Sequence, residues 1–167
     1  NFFKKKPKNI IAVTGTNGKT SVADFFCQIL KLNNIASASI GTFGIKFKKR
    51  FINTKLTSPD IISLHKSLEI LKKKKIDNVI IEASSHGLEQ RRLDKIRFKA
   101  GIFTNFSQDH LDYHRTMNAY LKSKLILFKN LLPKKSFVIT DNKIKPFLKL
   151  KKIAQERNLK IKQINNT

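Results

Sequence analysis

A stretch near the N-terminus places a predicted strand, a glycine-containing turn and a predicted helix in direct succession. The apolar run Ile10–Val13 predicts the strand. The amphipathic segment from Thr20 to about Leu32 predicts the helix, whose apolar face is formed by Val22, Phe25, Phe26, Ile29 and Leu30. Between them lies Thr14-Gly15-Thr16-Asn17-Gly18-Lys19-Thr20. Such a turn directs backbone N–H groups and a helix N-terminus at an anion. The sequence therefore predicts a phosphate-binding loop, in which Lys19 reaches the β- and γ-phosphates and the Thr20 hydroxyl ligates Mg²⁺.

The loop departs from the usual pattern G-x-x-x-x-G-K-[ST] at one position. The residue five before Gly18 is Val13, so the first glycine is missing, and Gly15 lies closer and makes a tighter loop. An ordinary turn with an incidental lysine and threonine is the alternative interpretation. The strand before the turn and the helix after it favour phosphate binding.

Size and composition fit one globular domain. The chain has 167 residues, of which 40% are hydrophobic, enough for a core of its own. No apolar run is long enough to cross a bilayer, and the first residues do not resemble a signal peptide. The single cysteine, Cys27, cannot form an internal disulfide, and the sequence has no metal-binding cysteine cluster. These features favour a cytoplasmic protein with no membrane partner.

The net charge of +24, from 35 Lys+Arg and 11 Asp+Glu, ordinarily suggests a polyanionic partner. The excess is spread along the chain and is mostly lysine, which favours a solvated basic surface. A nucleic-acid-binding module built on the phosphate loop remains the alternative of a different class. Aromatic residues are not interleaved with the basic runs at 4–8 and 72–75, which makes nucleic acid the less favoured partner.

Predicted strands and helices alternate along the chain, after a basic lead-in over residues 1–9. This alternation predicts an α/β fold of the P-loop type, with a mostly parallel sheet flanked by helices. A basic, irregular stretch at Lys46–Lys55 is compatible with a hairpin through Phe47 and Phe51. The remaining strands are predicted at 35–40, 77–83, 100–104, 137–140 and 159–164, and the helices begin at Ser58 (as N-cap, with Pro59 and Asp60 in the first turn), at about Thr116 and at Ile144.

Three polar clusters, beginning at Thr14, Glu82 and Asn105, follow the ends of predicted strands. In parallel sheets ligands bind beyond the carboxyl ends of the strands, so these clusters are expected to form one site. Glu82 could ligate Mg²⁺ or orient a metal-bound water, although a strand-terminal carboxylate is often only a turn residue. Asp109 or His110 could ligate a second cation, or both could be solvated.

Two basic side chains have no spacing that distinguishes them from their neighbours. Arg92 could hold a phosphate or a carboxylate in a bidentate manner, or be surface charge. On a helix, Tyr120 and Lys124 lie on the same side, one turn apart. Spacing alone favours a solvated surface lysine at Lys124.

Together these stretches resemble the central ATP-binding domain of the Mur ligases, which add amino acids to UDP-N-acetylmuramoyl peptides in peptidoglycan synthesis. The resemblance covers about residues 8–165, and the strings at 84–88 and 109–114 are similar to the members that add the third residue, usually meso-diaminopimelate. Ser58 and Ala83 depart from the more usual Thr and Val. The motifs are Thr14-Gly15-Thr16-Asn17-Gly18-Lys19-Thr20, Leu56-Thr57-Ser58-Pro59-Asp60, Glu82-Ala83-Ser84-Ser85-His86-Gly87-Leu88, Thr104-Asn105-Phe106-Ser107-Gln108-Asp109-His110-Leu111-Asp112-Tyr113-His114, and Tyr120 to Lys124.

The resemblance implies a role for each matching position. Lys19 and Lys124 would be the catalytic lysines, and Lys124 would carry a carbamate formed from CO₂. The ATP-binding loop would be Gly15, Thr16, Asn17, Gly18, Lys19, Thr20 and Ser21. The Mg²⁺ sites would use Thr20, Glu82, His110 and carbamylated Lys124. The UDP-muramoyl-dipeptide would contact Thr57, Ser58, Ser84, Gln90 and Arg92.

The resemblance also implies a domain organisation and a reaction. Residues 1–9 would be a linker from a missing N-terminal UDP-binding domain, residues 10–167 the central ATP-binding domain, and the C-terminal amino-acid-binding domain would be absent. ATP would phosphorylate the D-glutamate of UDP-N-acetylmuramoyl-L-alanyl-D-glutamate, and meso-diaminopimelate would attack the acyl-phosphate. An L-lysine-adding member and a folylpolyglutamate synthetase are the alternative enzymes, and the chain alone is expected to bind nucleotide weakly without completing ligation.

Overall fold

The computed structural model describes residues 5–47, 50–52 and 57–164. Within these ranges the strands form a single sheet, and helices pack against both of its faces. The strands are β1 (Asn9–Thr14), β2 (Ser37–Gly41), β3 (Gly44–Phe47), β4 (Arg50–Ile52), β5 (Asn78–Glu82), β6 (Ala100–Phe103), β7 (Phe137–Thr140) and β8 (Lys160–Gln163). The helices are α1 (Lys19–Leu32), α2 (Ile61–Lys73), α3 (Ser85–Glu89), α4 (Leu111–His114), α5 (Met117–Ile126), which continues into a π-helical segment (Leu127–Leu131), and α6 (Phe147–Glu156).

The sheet order is β4-β3-β2-β5-β1-β6-β7-β8. The six strands from β2 to β8 in this order pair in parallel, which confirms the predicted α/β fold with a mostly parallel sheet. The chain leaves β1 towards β2 on one side and later adds β6 on the other. This reversal places a crevice at the carboxyl end of β1, where ligands of parallel sheets bind.

The predicted hairpin is present in the residues that the structure describes. Strands β3 and β4 pair antiparallel, with Lys46 opposite Phe51 and Phe47 opposite Arg50. The rest of the predicted hairpin, at 48–49 and 53–55, lies outside the described residues, as does Leu56 of the motif that follows.

Alternating residues of β1 enter two separate parts of the core. Ile10 and Ala12 belong to the larger cluster, which contains the buried leucines of α2, α5 and α6, whereas Val13 packs with Ala23 of α1. Because neighbouring residues of a strand point to opposite faces, α1 covers one face of the sheet and α2, α5 and α6 cover the other.

The predicted start of α2 is wrong by two residues. Asp60, and not Ser58, is the N-cap, because its side chain accepts hydrogen bonds from the backbone N–H groups of Ile62 and Ser63. The Ser58 hydroxyl instead donates to the Glu82 carbonyl oxygen at 3.0 Å. Because Ser58 is buried and its hydroxyl is bonded to the end of β5, that hydroxyl does not cap the helix.

The predicted apolar face of α1 is only partly buried. Val22, Phe26 and Leu30 are half-buried, but Phe25 and Ile29 are 60% and 58% exposed. Among the described residues, α1 is the helix that covers this face of the sheet. Because no second helix in that part of the chain packs beside it, only the side of α1 that contacts the sheet is buried.

One helix differs from its predicted extent, and another was not foreseen. The helix predicted to begin at Ile144 instead spans Phe147–Glu156, and the short helix Leu111–His114 precedes α5. In the part of the chain that the structure describes, no helix has both the length and the apolar character needed to cross a membrane.

Candidate active site

The phosphate loop occupies residues 15–18, between β1 and α1, and its two glycines have different roles. At Gly15 (φ +145°) a Cβ would lie 1.9 Å from the Thr104 hydroxyl, so the strand end and the next loop meet too closely for a side chain. Gly18 (φ +80°) is the N-cap of α1 in the left-handed region, which glycine adopts without strain. Val13, at the position of the usual first glycine, is a fully buried residue of β1.

The loop after β6 holds the phosphate loop in place. The Thr104 hydroxyl donates to the Asn17 carbonyl at 2.6 Å, and the Asn105 side-chain oxygen accepts from the Asn17 backbone N–H at 2.9 Å. Thr16 and Ser107 exchange two hydrogen bonds through the Thr16 hydroxyl, at 3.1 and 3.0 Å. The polar clusters that begin at Thr14 and Asn105 are therefore in direct contact.

Two lysines donate to the carbonyl oxygen of Gly15. Lys19 Nζ lies 3.0 Å from it and 2.7 Å from the Thr16 carbonyl, and Lys124 Nζ approaches the Gly15 carbonyl to 2.7 Å. Burial lowers the pKa of Lys19, although the charges of Glu82 and Asp109 raise it in part. Burial and the charge of Lys19 lower the pKa of Lys124 to about 7.

Lys124 is 1% exposed, so its interpretation as a surface lysine is wrong. Its ammonium lies 4.3 Å from the centre of the Tyr120 ring, on the same side of α5 as the spacing predicts. The enclosure explains the lowered pKa, because a charged ammonium loses hydration there.

Glu82 ends β5 with a carboxylate that is 3% exposed and accepts several hydrogen bonds. The Thr20 hydroxyl donates to Oε2 at 2.8 Å, and the Thr42 backbone N–H and hydroxyl donate to Oε1 at 3.3 Å and Oε2 at 3.1 Å. The carboxylate thus connects the first turn of α1 with the turn after β2.

The polar residues around Ser58 form a connected network on the other side of Glu82. The Ser58 hydroxyl lies 3.1 Å from that of Ser84, and the Ser84 hydroxyl caps α3 by accepting from the Gly87 backbone N–H at 3.0 Å. Arg92 donates to the Ser58 carbonyl at 2.9 Å and to the Gln90 side-chain oxygen. Arg92 is therefore tied to the site and is not free surface charge.

Histidine and tyrosine rings cluster around His86. The His86 ring lies 5.2 Å from that of His110 and 4.0 Å from that of Tyr113. His110 is the left-handed N-cap of α4, and its Nε2 lies 3.5 Å from the Asp109 carboxylate. Burial lowers the pKa of His86, and the neighbouring His110 adds to this effect.

These groups surround one cavity of about 380 Å³ at the carboxyl end of the sheet. Several predicted site residues do not line this cavity. Gln90 is exposed and contacts Arg92, and Ser21 is exposed in the first turn of α1. Glu82 is hydrogen-bonded to Thr42, which does line the cavity. A larger cavity, about 540 Å³, lies between α1 and the strands β2 and β3, away from this chemistry. The residues lining the smaller one are Thr16, Lys19, Thr42, Thr57, Ser58, Ser84, Ser85, His86, Arg92, Asp109, His110 and Lys124.

The donor set fits a metal held jointly by protein and nucleotide. Among the described residues, no group of three or more His, Cys, Asp or Glu side chains could hold a metal ion. Mg²⁺ commonly takes one or two protein ligands together with substrate phosphates and water. The Glu82 carboxylate and the Thr20 hydroxyl, beside a phosphate loop, supply that kind of partial set.

Sequence reasoning missed the role of Thr42 and the contacts that Thr104 makes with the loop. Thr42 directly follows β2, so it lies at the same edge of the sheet as Glu82. Glu82 was identified because polar residues at the carboxyl ends of parallel strands tend to form the ligand site. The same criterion would have identified Thr42.

A family model of the Mur ligase middle domain matches residues 13–166. A relative from Bradyrhizobium diazoefficiens is 51% identical over 132 residues, which are 79% of this chain and 27% of the relative. A relative from Rickettsia bellii is 43% identical over 163 residues, 95% of this chain and 34% of the relative. Both are named UDP-N-acetylmuramoyl-L-alanyl-D-glutamate–2,6-diaminopimelate ligase.

Solved structures agree with the sequence relatives. A structure of a UDP-N-acetylmuramoyl-L-alanyl-D-glutamate–2,6-diaminopimelate ligase superposes with a TM-score of 0.84 and 33% identity, over 97% of this chain and 33% of that one. A Mycobacterium tuberculosis folylpolyglutamate synthase complexed with ADP has a TM-score of 0.75 at 13% identity, over 96% of this chain and 43% of that one. The second likeness shows a shared fold. The chain spans about a third or less of the curated relatives described above.

Proposed function

Since the chain belongs to the Mur ligase family, whose middle domain it contains, we propose that it is the ATP-binding domain of a ligase in peptidoglycan synthesis. The reaction is the addition of meso-diaminopimelate to UDP-N-acetylmuramoyl-L-alanyl-D-glutamate. The observation that carries the proposal is the placement of Lys19, Thr20, Glu82 and Lys124 around the Gly15 loop at one edge of a parallel sheet. The names and identities of the relatives support the choice of substrate.

ATP binds with its phosphates on residues 15–21. The backbone N–H groups of the loop and the N-terminus of α1 face the phosphates, and Lys19 exchanges its loop carbonyl partners for phosphate oxygens. Thr20 and Glu82 would hold Mg²⁺, which would supply neutralisation of the charge on the phosphates. His110 and a modified Lys124 would hold a second cation.

Lys124 is modified by CO₂ in this proposal. Its neutral amine attacks the carbon of CO₂: an N–C bond forms as one C=O π pair moves onto oxygen, and the nitrogen loses a proton to solvent. A carbamate anion thus takes the place of the amine. A lowered pKa favours the step, because it leaves a sizeable neutral fraction near pH 7. The product replaces a cation that would repel Mg²⁺ with an anion that attracts it.

The hydroxyl groups of Thr57, Ser58 and Ser84, together with Gln90 and Arg92, hold the UDP-muramoyl-dipeptide. The guanidinium of Arg92, fixed by Ser58 and Gln90, presents a planar donor to a carboxylate or phosphate. The D-glutamate carboxylate then attacks the γ-phosphoryl group and ADP leaves. The amine of the incoming amino acid attacks the acyl-phosphate, and phosphate leaves as the amide forms. The chain contributes positioning and charge neutralisation.

The remaining parts of the reaction belong to flanking domains. An N-terminal domain that binds UDP and a C-terminal domain that binds the amino acid would complete the enzyme, consistent with relatives about three times as long as the match. Selection of meso-diaminopimelate over L-lysine would lie in the latter. A folylpolyglutamate synthetase stays a weaker alternative, because that likeness, at 13% identity, shows the fold alone.

Nucleotide binding by this chain tests the proposal. Lys19→Ala should weaken binding of a fluorescent ATP analogue in Mg²⁺ by about tenfold or more, because a charge-assisted contact to phosphate is lost. Lys31→Ala, at the far end of the same helix, removes an equal charge and should leave the affinity unchanged. Equal affinity in the wild type and Lys19→Ala would contradict the proposal, as would efficient ligation by this chain alone.

A further inference from the structure

Thr42, in the turn after β2, makes two hydrogen bonds to the Glu82 carboxylate. Its backbone N–H lies 3.3 Å from Oε1 and its hydroxyl 3.1 Å from Oε2, so each oxygen has a donor from the same residue. The Thr20 hydroxyl, 2.8 Å from Oε2, is the third donor. Three donors on two oxygens leave the carboxylate little freedom to rotate.

The residue before Thr42 is shaped for the same carboxylate. A Cβ on Gly41 would lie 1.9 Å from Oε1 of Glu82 and 2.3 Å from its Cδ. Glycine is therefore required for the carboxylate to lie against the end of β2. The close approach at Gly41 and the donors of Thr42 form one receptor for the Glu82 side chain.

The hydroxyl of Thr42 also points towards the substrate side of the cavity. It lies 3.4 Å from the hydroxyl of Thr57, and both residues line the cavity beside Lys19. One hydroxyl therefore neighbours the metal-side carboxylate and the substrate-side loop.

We propose that Thr42 is a positioning residue, which orients the Glu82 carboxylate towards a divalent cation and connects that carboxylate to the loop at Thr57. This inference rests on the proposed function, in which Glu82 serves Mg²⁺. A carboxylate with fixed orientation presents its free lone pairs in one direction, so the cation binds without the cost of ordering its ligand. Thr42 acts through Glu82 and does not itself contact the cation.

The test measures how much Mg²⁺ this chain needs to bind a fluorescent ATP analogue. Thr42→Val, which keeps the shape and the backbone N–H but removes the hydroxyl, should raise the half-saturating Mg²⁺ concentration about tenfold, as is typical when a partner of a metal ligand is lost. Thr42→Ser restores the hydroxyl and should return the requirement to within about twofold of the wild type. Thr42→Ala serves as the second hydroxyl-free variant if Thr42→Val fails to fold.

Two controls separate positioning from general damage. Phe43→Ala changes an exposed side chain in the same turn and should leave the Mg²⁺ requirement unchanged. Nucleotide affinity measured in EDTA should be equal in the wild type and Thr42→Val, because only the metal-dependent part of binding involves Glu82. An unchanged Mg²⁺ requirement in Thr42→Val, or an equal loss of affinity in EDTA, overturns the inference. If the wild type shows no Mg²⁺-dependent nucleotide binding, the proposed function fails and the inference fails with it.

Discussion

Lys122 and Lys124 lie two positions apart on α5 and have opposite environments. Lys122 is exposed, whereas Lys124 is buried against the Gly15 carbonyl and the Tyr120 ring. Chemistry at Lys124 therefore depends on its surroundings and not on its residue type. Its pKa of about 7 lies well below that of a lysine in a model peptide, about 10.4.

This difference predicts selective reaction with CO₂. At about pH 7.5, isotopically labelled bicarbonate should label Lys124 as a carbamate, because a group with a pKa near 7 is largely neutral there, while an ordinary lysine is about a thousandfold less so. Lowering the pH below 7 protonates the amine and should reduce labelling. Nuclear magnetic resonance of the label measures it directly. Lys124→Met should lose the signal and Lys122→Met should keep it; equal labelling of both variants would refute the prediction.

Single residues were predictable from sequence where the backbone or the order of elements dictates them. Gly18 and Glu82 follow from the loop pattern and from a strand end. The burial of Lys124 does not, because many lysines share its spacing, and only the packing of α5 against the phosphate loop distinguishes it. The family resemblance singled out Lys124 among the lysines, which the local sequence pattern did not.

At the scale of elements, Asp60 determines where α2 begins. Its carboxylate accepts from the backbone N–H groups of Ile62 and Ser63, and hydrogen bonding with Ser63 lowers the pKa of Asp60. Asp60→Ala should destabilise the chain by about 1 kcal/mol, the usual cost of losing an N-cap. Urea unfolding at neutral pH measures the change.

The matched control for Asp60→Ala is Glu156→Ala, which removes one exposed carboxylate at the end of α6. If both variants lose the same stability, the effect belongs to net charge and Asp60 does not act as a cap. Helix rules favoured Ser58 as the N-cap, because Pro59 then takes the first helical position. The choice is made by tertiary structure, because the Ser58 hydroxyl is already bonded to the Glu82 carbonyl.

The strands were easier to predict than the helix faces. Apolar, β-branched runs marked β1, β5 and β7 to within about two residues, as expected for strands buried on both sides. The buried face of a helix was harder to predict, because Phe25 and Ile29 belong to the apolar stripe of α1 but are exposed. Helical spacing identified an apolar stripe on α1, but how much of it is buried depends on how many elements cover that face of the sheet.

At the scale of the whole molecule, the alternation of strands and helices predicted the α/β class and the edge at which the polar clusters meet. The position of β1 between β5 and β6 was not predictable, because periodicity carries no information on strand order. The three clusters share one edge for any parallel order. Their contacts, such as Thr104 with Asn17, depend on β1 and β6 being neighbours.

The charge of the whole chain leads to a prediction about salt. With 35 basic and 11 acidic residues, the chain carries 24 more basic than acidic side chains. Repulsion among the basic side chains opposes the compact state, and salt screens it over a distance of about 10 Å at 0.1 M. Raising NaCl from about 10 mM to about 200 mM should therefore increase the urea concentration at the unfolding midpoint.

Anion binding at the phosphate loop could give the same increase through one site, and Lys19→Ala separates the two causes. General screening involves all of the basic charges, so Lys19→Ala should gain almost as much stability from NaCl as the wild type does. An increase that disappears in Lys19→Ala would assign the effect to chloride on the loop. A midpoint that falls with salt in both proteins would contradict the prediction. It would mean that attraction between basic and acidic side chains outweighs the repulsion among the basic ones.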